Sequence, residues 1–198
     1  MTAGDRAPEG RTGRGALSTR LIREARAMLR EQGHPQFNLR ELAARAGITA
    51  GAMYYHFESK TELLAALAAV GFRDLSHRLE SAALAVPVSE RLRVWAREYA
   101  RFAQAEPALM TLMFLPEIGH AEDVVAARQG MVDQLRRVVE EMLTVYHRDR
   151  ARLGEVTLAI WAAAHGGAAL DLATSATAPM IEEVINGLEA VFNPTYES

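Results

Sequence analysis

Residues 38–64 read NLRELAARAGITAGAMYYHFESKTELL. Leu39, Leu42 and Ala43 recur at helical spacing and stop at Gly47, and a second short helical pattern starts at Thr49, whose hydroxyl can cap it. Gly47 supplies the left-handed backbone that a tight turn needs, and Ile48 an apolar pin between the two helices. The pattern is that of a helix-turn-helix. Asn38 caps the first of the two helices, and Glu41, three residues on, completes a capping-box-like pair. Two helices this short bury little, so the flanking chain has to supply a core.

On the N-terminal side, Leu21, Ile22, Ala25, Met28 and Leu29 form an apolar stripe that ends at Gly33, with Ser18 as its N-cap and Arg23, Arg26 and Arg30 on other faces. This is helix one of a three-helix head over residues 17–62, and Phe37 packs in the connection. Residues 1–16 are rich in Gly, Arg, Pro and Thr without periodicity and read as a flexible arm. Arg6, Arg11 and Arg14 can touch DNA phosphates or the minor groove, or simply remain solvated. On the C-terminal side, residues 60–84 keep one helical period through Leu63, Leu67, Leu75 and Leu79 and connect the head to a body over residues 63–198. There, Leu92, Trp95, Ala96, Tyr99 and Phe102 mark an aromatic helix ending near Pro107, followed by a short helix over 108–115. A long helix over 122–147 turns Val124, Val125, Met131, Leu135, Val139, Met142 and Val145 inward, and two more helices span 153–173 and 179–192. No alternating strand pattern, hairpin signal or internal repeat is present, so the class is all-α, with about nine helices.

Composition bounds the chemistry. The chain has 198 residues, 49% of them hydrophobic, enough for a substantial core, and no cysteine, which excludes disulfides, thiolate metal sites and a cysteine nucleophile. The longest apolar stretches, such as 161–164 and 63–72, are interrupted well before bilayer length, and the arm lacks the apolar core of a secretory signal. A cytoplasmic protein with no membrane partner is expected. The net charge of -3 hides an asymmetry: residues 1–60 hold ten Arg or Lys against six Asp or Glu, while the remainder is acidic. A basic head on an acidic body suits a nucleic-acid partner for the head alone. The only lysine, Lys60, lies where the head ends.

Gly47, Ile48, Thr49, Gly51, Met53, Tyr54, Tyr55, His56, Phe57, Lys60 and Leu63 run in the order of the DNA-binding signature of the tetracycline-repressor (TetR) family of bacterial transcriptional regulators, which the chain resembles over about residues 17–67. Asn38 departs from the threonine common there, but either residue caps a helix and donates to a phosphate. The resemblance implies a homodimer on a palindromic double-stranded DNA operator. The first turn of the second helix, Thr49, Ala50, Gly51 and Ala52, would face base edges. All four are small and only Thr49 hydrogen-bonds, leaving Ala50 and Ala52 for thymine methyls, so DNA shape and the arm share the specificity. Asn38, Tyr54, Tyr55, His56 and Lys60 suit phosphate contacts, with one of the two tyrosine rings partly buried, while Met53 and Phe57 belong to the core.

In the family the last two long helices build a four-helix bundle with the partner subunit; here Gly166, Gly167, Ala168 and Ala169 would permit close helix approach. An effector pocket is likewise implied, and the aromatic and methionine residues of the middle helices are its candidate lining: Trp95, Tyr99, Phe102, Met110, Met113, Phe114, Met131 and Trp161. Each is equally a plain core residue by type. His165, the polar group in WAAAHGGAAL, is a satisfied core histidine or a ligand's hydrogen-bond partner. An unidentified small hydrophobic molecule that releases the protein from DNA is the expected effector. No catalytic constellation, phosphate loop, cofactor motif or metal set is legible; His120 and Glu122, in a loop, pair a histidine with a carboxylate at short spacing and make a weak signal. The competing reading is a helical ligand-binding or scaffold protein whose head no longer binds DNA.

Overall fold

In the computed structural model residues 9–35, 38–174 and 179–192 are described. Their regular structure is helical throughout: α1 (Glu9–Gln32), α2 (Leu39–Arg45), α3 (Ala50–Tyr54), α4 (Lys60–Leu84), α5 (Val88–Ala105), α6 (Pro107–Met113), α7 (Glu122–Val145), α8 (Leu153–Thr174) and α9 (Met180–Phe192). The all-α class and the helix count agree with the sequence reading. Arg6, Phe37 and the side chains of Arg11 and Arg14 lie outside the described residues.

α1 starts upstream of the expected Ser18 cap, so residues 9–16, read as arm, are helical. Gly10, Gly13 and Gly15 each disfavour a helix by about 1 kcal/mol without forbidding it, and the nearest proline, Pro8, stands just ahead, where its fixed φ suits a helix start. Ser18 therefore sits inside the helix, and its hydroxyl lies 3.3 Å from Nδ1 of His56. Leu21, Ala25, Met28 and Leu29 are fully buried on the inner face of α1 and share one core with Leu42, Ala46 and Met53. Asn38 caps α2, its Oδ1 accepting from the Arg40 amide at 2.8 Å. Glu41 does not close the capping box: its carboxylate accepts from Arg45 at 3.0 Å, an i, i+4 pair that α2 geometry makes easier to reach.

The turn is built as the sequence suggests. Gly47 has φ +64°, and a Cβ there would stand 3.2 Å from Nη2 of Arg20. The Ile48 amide donates to the Ala43 carbonyl at 3.0 Å, and the Ile48 side chain packs on the core. Ser59 then caps α4, its Oγ accepting from the Glu62 amide at 3.1 Å while Glu62 accepts from the Glu58 amide at 2.6 Å. With 25 residues, α4 is about 37 Å long and spans head and body. It packs chiefly on α7 and α5, and also on α6, where Gly71 lets the helices meet: a Cβ would fall 2.8 Å from Sδ of Met113.

In α7, Val125 and Val145 are exposed rather than inward. Val124 takes the buried position, its neighbour points about 100° away, and Val145 lies in the last turn. α8 is apolar all round. It buries Ile160, Ala164 and Ala168 against the body and meets α9 at Gly167, where a Cβ would stand 3.5 Å from the Ile181 Cα. Its other side exposes Leu158, Ala162, Ala169 and Leu170. By length and composition α8 is the one described helix able to cross a bilayer; it also carries Glu155, His165 and Asp171 and packs on α5, α7 and α9.

Candidate DNA-reading surface and effector cavity

α3 presents its residues in a graded way. Met53 is buried beneath it, with Phe57 just beyond, while Thr49, Gly51, Tyr54 and Tyr55 face outward. Thr49 Oγ1 accepts from the Ala52 amide at 3.2 Å, so the hydroxyl oxygen caps the helix and its hydrogen stays available. Both tyrosine rings are exposed, Tyr54 at 52% and Tyr55 at 69%, which corrects the expectation that one would be partly buried. The short α3 has one inner face, and Met53 fills it. Tyr55 stands edge-on to His56 with ring centroids 5.6 Å apart. His56 is half-buried, braced by Ser18, and Lys60 is half-buried at the start of α4. Asn38 is exposed, and Ala50 and Ala52 are half-buried. Of the eight residues named for DNA, seven lie in α3 or within six positions of its ends, and Asn38 caps α2.

A charged junction ties this head to the body, and nothing in the sequence pattern announced it. Glu106, at the α5–α6 corner, is only 3% exposed. Its carboxylate accepts from Arg30 Nε at 2.8 Å, from Arg30 Nη2, and from Arg26 Nη2 at 3.1 Å, while Arg26 Nη1 also reaches Asp74 of α4. Burial alone would raise the Glu106 pKa, but the two guanidiniums outweigh it and hold the carboxyl below its ordinary value. α1 is thus joined to the α5–α6 corner through Glu106 and to α4 through Asp74, with Arg26 common to both.

In the body, the nine residues named for a ligand fall into two sets. Phe102, Met110, Met113 and Met131 are buried core. Trp95, Tyr99, His165, Phe114 and Trp161 form a ring cluster: Trp95 stacks on Tyr99 at 5.4 Å, and Phe114 lies 4.3 Å from the His165 ring and 6.3 Å from Trp161. Burial pushes the Tyr99 phenol well up and the His165 imidazole down, so both are neutral near pH 7. The Tyr99 hydroxyl and Nδ1 of His165 share a hydrogen bond of 2.9 Å. The Trp161 indole N–H approaches Tyr99 and opposes that rise without completing a hydrogen bond, and the Trp95 N–H has no hydrogen-bond partner among the described residues.

The open space lies elsewhere, on the other faces of the same helices. A cavity of about 160 Å³ opens between α5, α7, α8 and α9, walled by Leu92, Ala96, Met142, Ile160, Ala164 and Ile185, with Ser89, Arg93 and Tyr146 as its polar members. None of the nine expected residues lines it. Trp95 borders a separate crevice of about 80 Å³ beside Leu79 and Gln134. Among the described residues no group of His, Asp or Glu is placed to hold a metal ion.

A helix-turn-helix head continuous with a cavity-bearing helical body is the architecture of a one-chain transcriptional regulator. The family model for bacterial regulatory proteins of the tetR family matches residues 21–67, and that for a tetracyclin repressor-like C-terminal domain matches residues 92–189. A protein with unknown function from Rhodococcus sp. RHA1 is 30% identical, with 89% of this chain and 93% of that one aligned at a TM-score of 0.76. The chain belongs to the tetR family. The transcriptional regulator FadR from Bacillus subtilis, solved with stearoyl-CoA, has the same fold at 14% identity, covering 90% of this chain and 99% of its own, TM-score 0.71. RolR, solved with resorcinol, is 16% identical over 91% and 89% of the two chains, TM-score 0.70. Among curated proteins no sequence matches.

Proposed function

We propose that the chain is a homodimeric repressor that reads a palindromic operator and leaves it when a small hydrophobic effector occupies the body. The observation that carries this reading is the joint exposure of Thr49, Gly51, Tyr54 and Tyr55 around α3, above a buried Met53. Two large aromatic side chains left in solvent beside a short helix have a use if they lie against DNA. In this reading the Thr49 hydroxyl hydrogen meets a base or phosphate, and Ala50 and Ala52 lie against thymine methyls. Asn38, Tyr54, Tyr55, His56 and Lys60 hold phosphates, His56 through the ring nitrogen that Ser18 leaves. Specificity beyond Thr49 comes from DNA shape and the basic N-terminal segment.

Two heads are needed, because one module buries little surface on DNA. Leu158, Ala162, Gly166 and Ala169 follow one another along one side of α8, and a Cβ built on Gly166 meets nothing within 4 Å. With α9, this side suits a bundle with a second copy, placing the two copies of α3 in major grooves one turn apart, roughly 34–36 Å. A dimer seated there blocks polymerase. An effector between α5 and α8 moves the α5–α6 corner, and Glu106 passes that movement to Arg26 and Arg30 on α1. Release requires only that the effector bind the DNA-incompatible arrangement more tightly. The protein acts in the cytoplasm, where its DNA is.

Gel shifts with DNA flanking the chromosomal locus test the reading. A specific complex that weakens steeply with salt is expected. If no such fragment is bound, the head is non-functional and the chain is a helical ligand-binding or scaffold protein.

A further inference from the structure

The cavity between α5, α7, α8 and α9 has a size and a polarity that together define a ligand class. Its volume of about 160 Å³ is close to that of an apolar protein cavity known to take one benzene ring, roughly 150 Å³. A single six-membered ring fits that space. Its wall is apolar apart from Ser89 and Arg93, one turn apart on α5, and Tyr146, just past the end of α7. Among the described lining residues Arg93 is the only charge, and none is a carboxylate. Next to it Arg97 grips both oxygens of Glu182 at 2.7 and 2.8 Å, and Arg93 stands 4.0 Å from the same carboxylate. The hydrogen bonds from Arg97, with the charges of Arg97, Arg93 and Arg101, hold the Glu182 carboxyl below its ordinary value. A guanidinium and two hydroxyls are the donor set for a carboxylate: two N–H donors in a fork and two O–H donors.

We infer that this cavity binds a single-ring carboxylate of benzoate size, with the ring against Ala96, Ile160 and Ala164 and the carboxylate on Arg93, Ser89 and Tyr146. The inference rests on the proposed effector response and names the ligand class for it. Binding bridges α5 to α8 and α9, so the ligand acts on the helix that ends at Glu106 and on the two helices that face the second copy.

Calorimetric titration of the full-length protein with benzoate, and with benzyl alcohol as the neutral analogue, tests this. Benzoate is expected to bind at least tenfold more tightly than benzyl alcohol. Arg93→Gln should abolish that preference and leave benzyl alcohol binding unchanged, while Ala164→Leu, which fills the cavity, should remove binding of both. Arg93→Gln changes a half-buried rim residue, so the test survives even if Ala164→Leu fails to fold. Equal affinity for the two probes, equal loss of both in Arg93→Gln, or full benzoate binding in a folded Ala164→Leu protein overturns the inference. The gel shift separates the two levels. Specific DNA binding without benzoate binding sinks the ligand class and spares the regulator, whereas benzoate binding without any DNA complex leaves the cavity assignment standing and removes the regulator.

Discussion

Glu106 is the residue on which the coupling of head to body depends most directly. It is buried, it accepts from two arginines of α1, and one of those arginines also reaches α4. Glu106→Gln keeps the shape but leaves Arg26 beside a neutral group, and removing one partner of a buried pair is costly because the other charge stays behind. Arg30 is more than half exposed and water compensates it, so a loss of about 2 kcal/mol is expected, below the fully buried case. Scanning calorimetry should show Tm falling by about 4–8 °C, with amide exchange rising in α1 ahead of α7; an unchanged Tm would mean the junction is incidental. A second residue-scale prediction concerns pH. Burial lowers the His165 pKa, so the unfolded chain takes up this proton before the folded one does. Stability from this group is present above its ordinary value of 6.5 and declines as pH falls below it, until the folded form is protonated too. The groups facing the ring, Tyr99 and Phe114, carry no charge to reverse the sign. The fall in Tm between pH 8 and pH 5 should therefore be smaller in His165→Gln than in the parent, and equal slopes would contradict the buried neutral imidazole.

Elements differ in how far they were legible, and the reasons are physical. α4 was readable from end to end because an unbroken apolar period marks its course. The turn at Gly47 was readable because only a left-handed residue fits there. The start of α1 was not, since three glycines in its first turns mimic a loop. The cavity was not either: periodicity shows that both Trp95 and Ala96 are buried, but not that the small side chains of Ala96 and Ala164 come to face each other across a gap. The Glu106 junction joins residues 76 and 80 positions apart, beyond any local pattern. Glycines within helices make the same point and lead to a paired prediction. Gly130 on α7 faces open space, so Gly130→Ala should gain the helix propensity difference, about 0.8–1 kcal/mol, and raise Tm by about 2–4 °C. Gly71 on α4 lies against the fully buried Met113, and its added Cβ would also stand 3.2 Å from Leu109. Gly71→Val should therefore overpack the α4–α6 contact and cost about 1–3 kcal/mol. Opposite shifts in thermal unfolding are expected, and a tolerated Gly71→Val would show that α6 is free to move away from α4.

At the scale of the whole molecule, the unresolved asymmetry is α8, which is apolar on a side that none of the described residues covers. Leu158 is 59% exposed and Leu170 45%, on a helix whose opposite side is locked to the body through Ala164, Gly167 and Ala168. Single exposed leucines are ordinary, but a continuous row that includes Ala162, Gly166 and Ala169 is the kind of surface that marks an interface. The double substitution Leu158→Glu, Leu170→Glu places two like charges where the second copy would sit, and a twofold interface presents them from both copies. Because both leucines are exposed within the chain, the fold of one chain should change little, within about 0.5 kcal/mol per site. Light scattering on a sizing column is expected to report about twice the chain mass of 21.7 kDa for the parent and about the chain mass for the variant. The heads remain folded in the monomer but lose their fixed separation, so operator affinity should drop by two orders of magnitude or more, toward the nonspecific range of roughly 10⁻⁴ to 10⁻⁶ M, and the residual binding should keep its salt dependence. A variant that stays dimeric places the interface on other helices. A monomeric variant with full operator affinity separates DNA reading from pairing, and the paired-reader mechanism then fails even though the head itself binds.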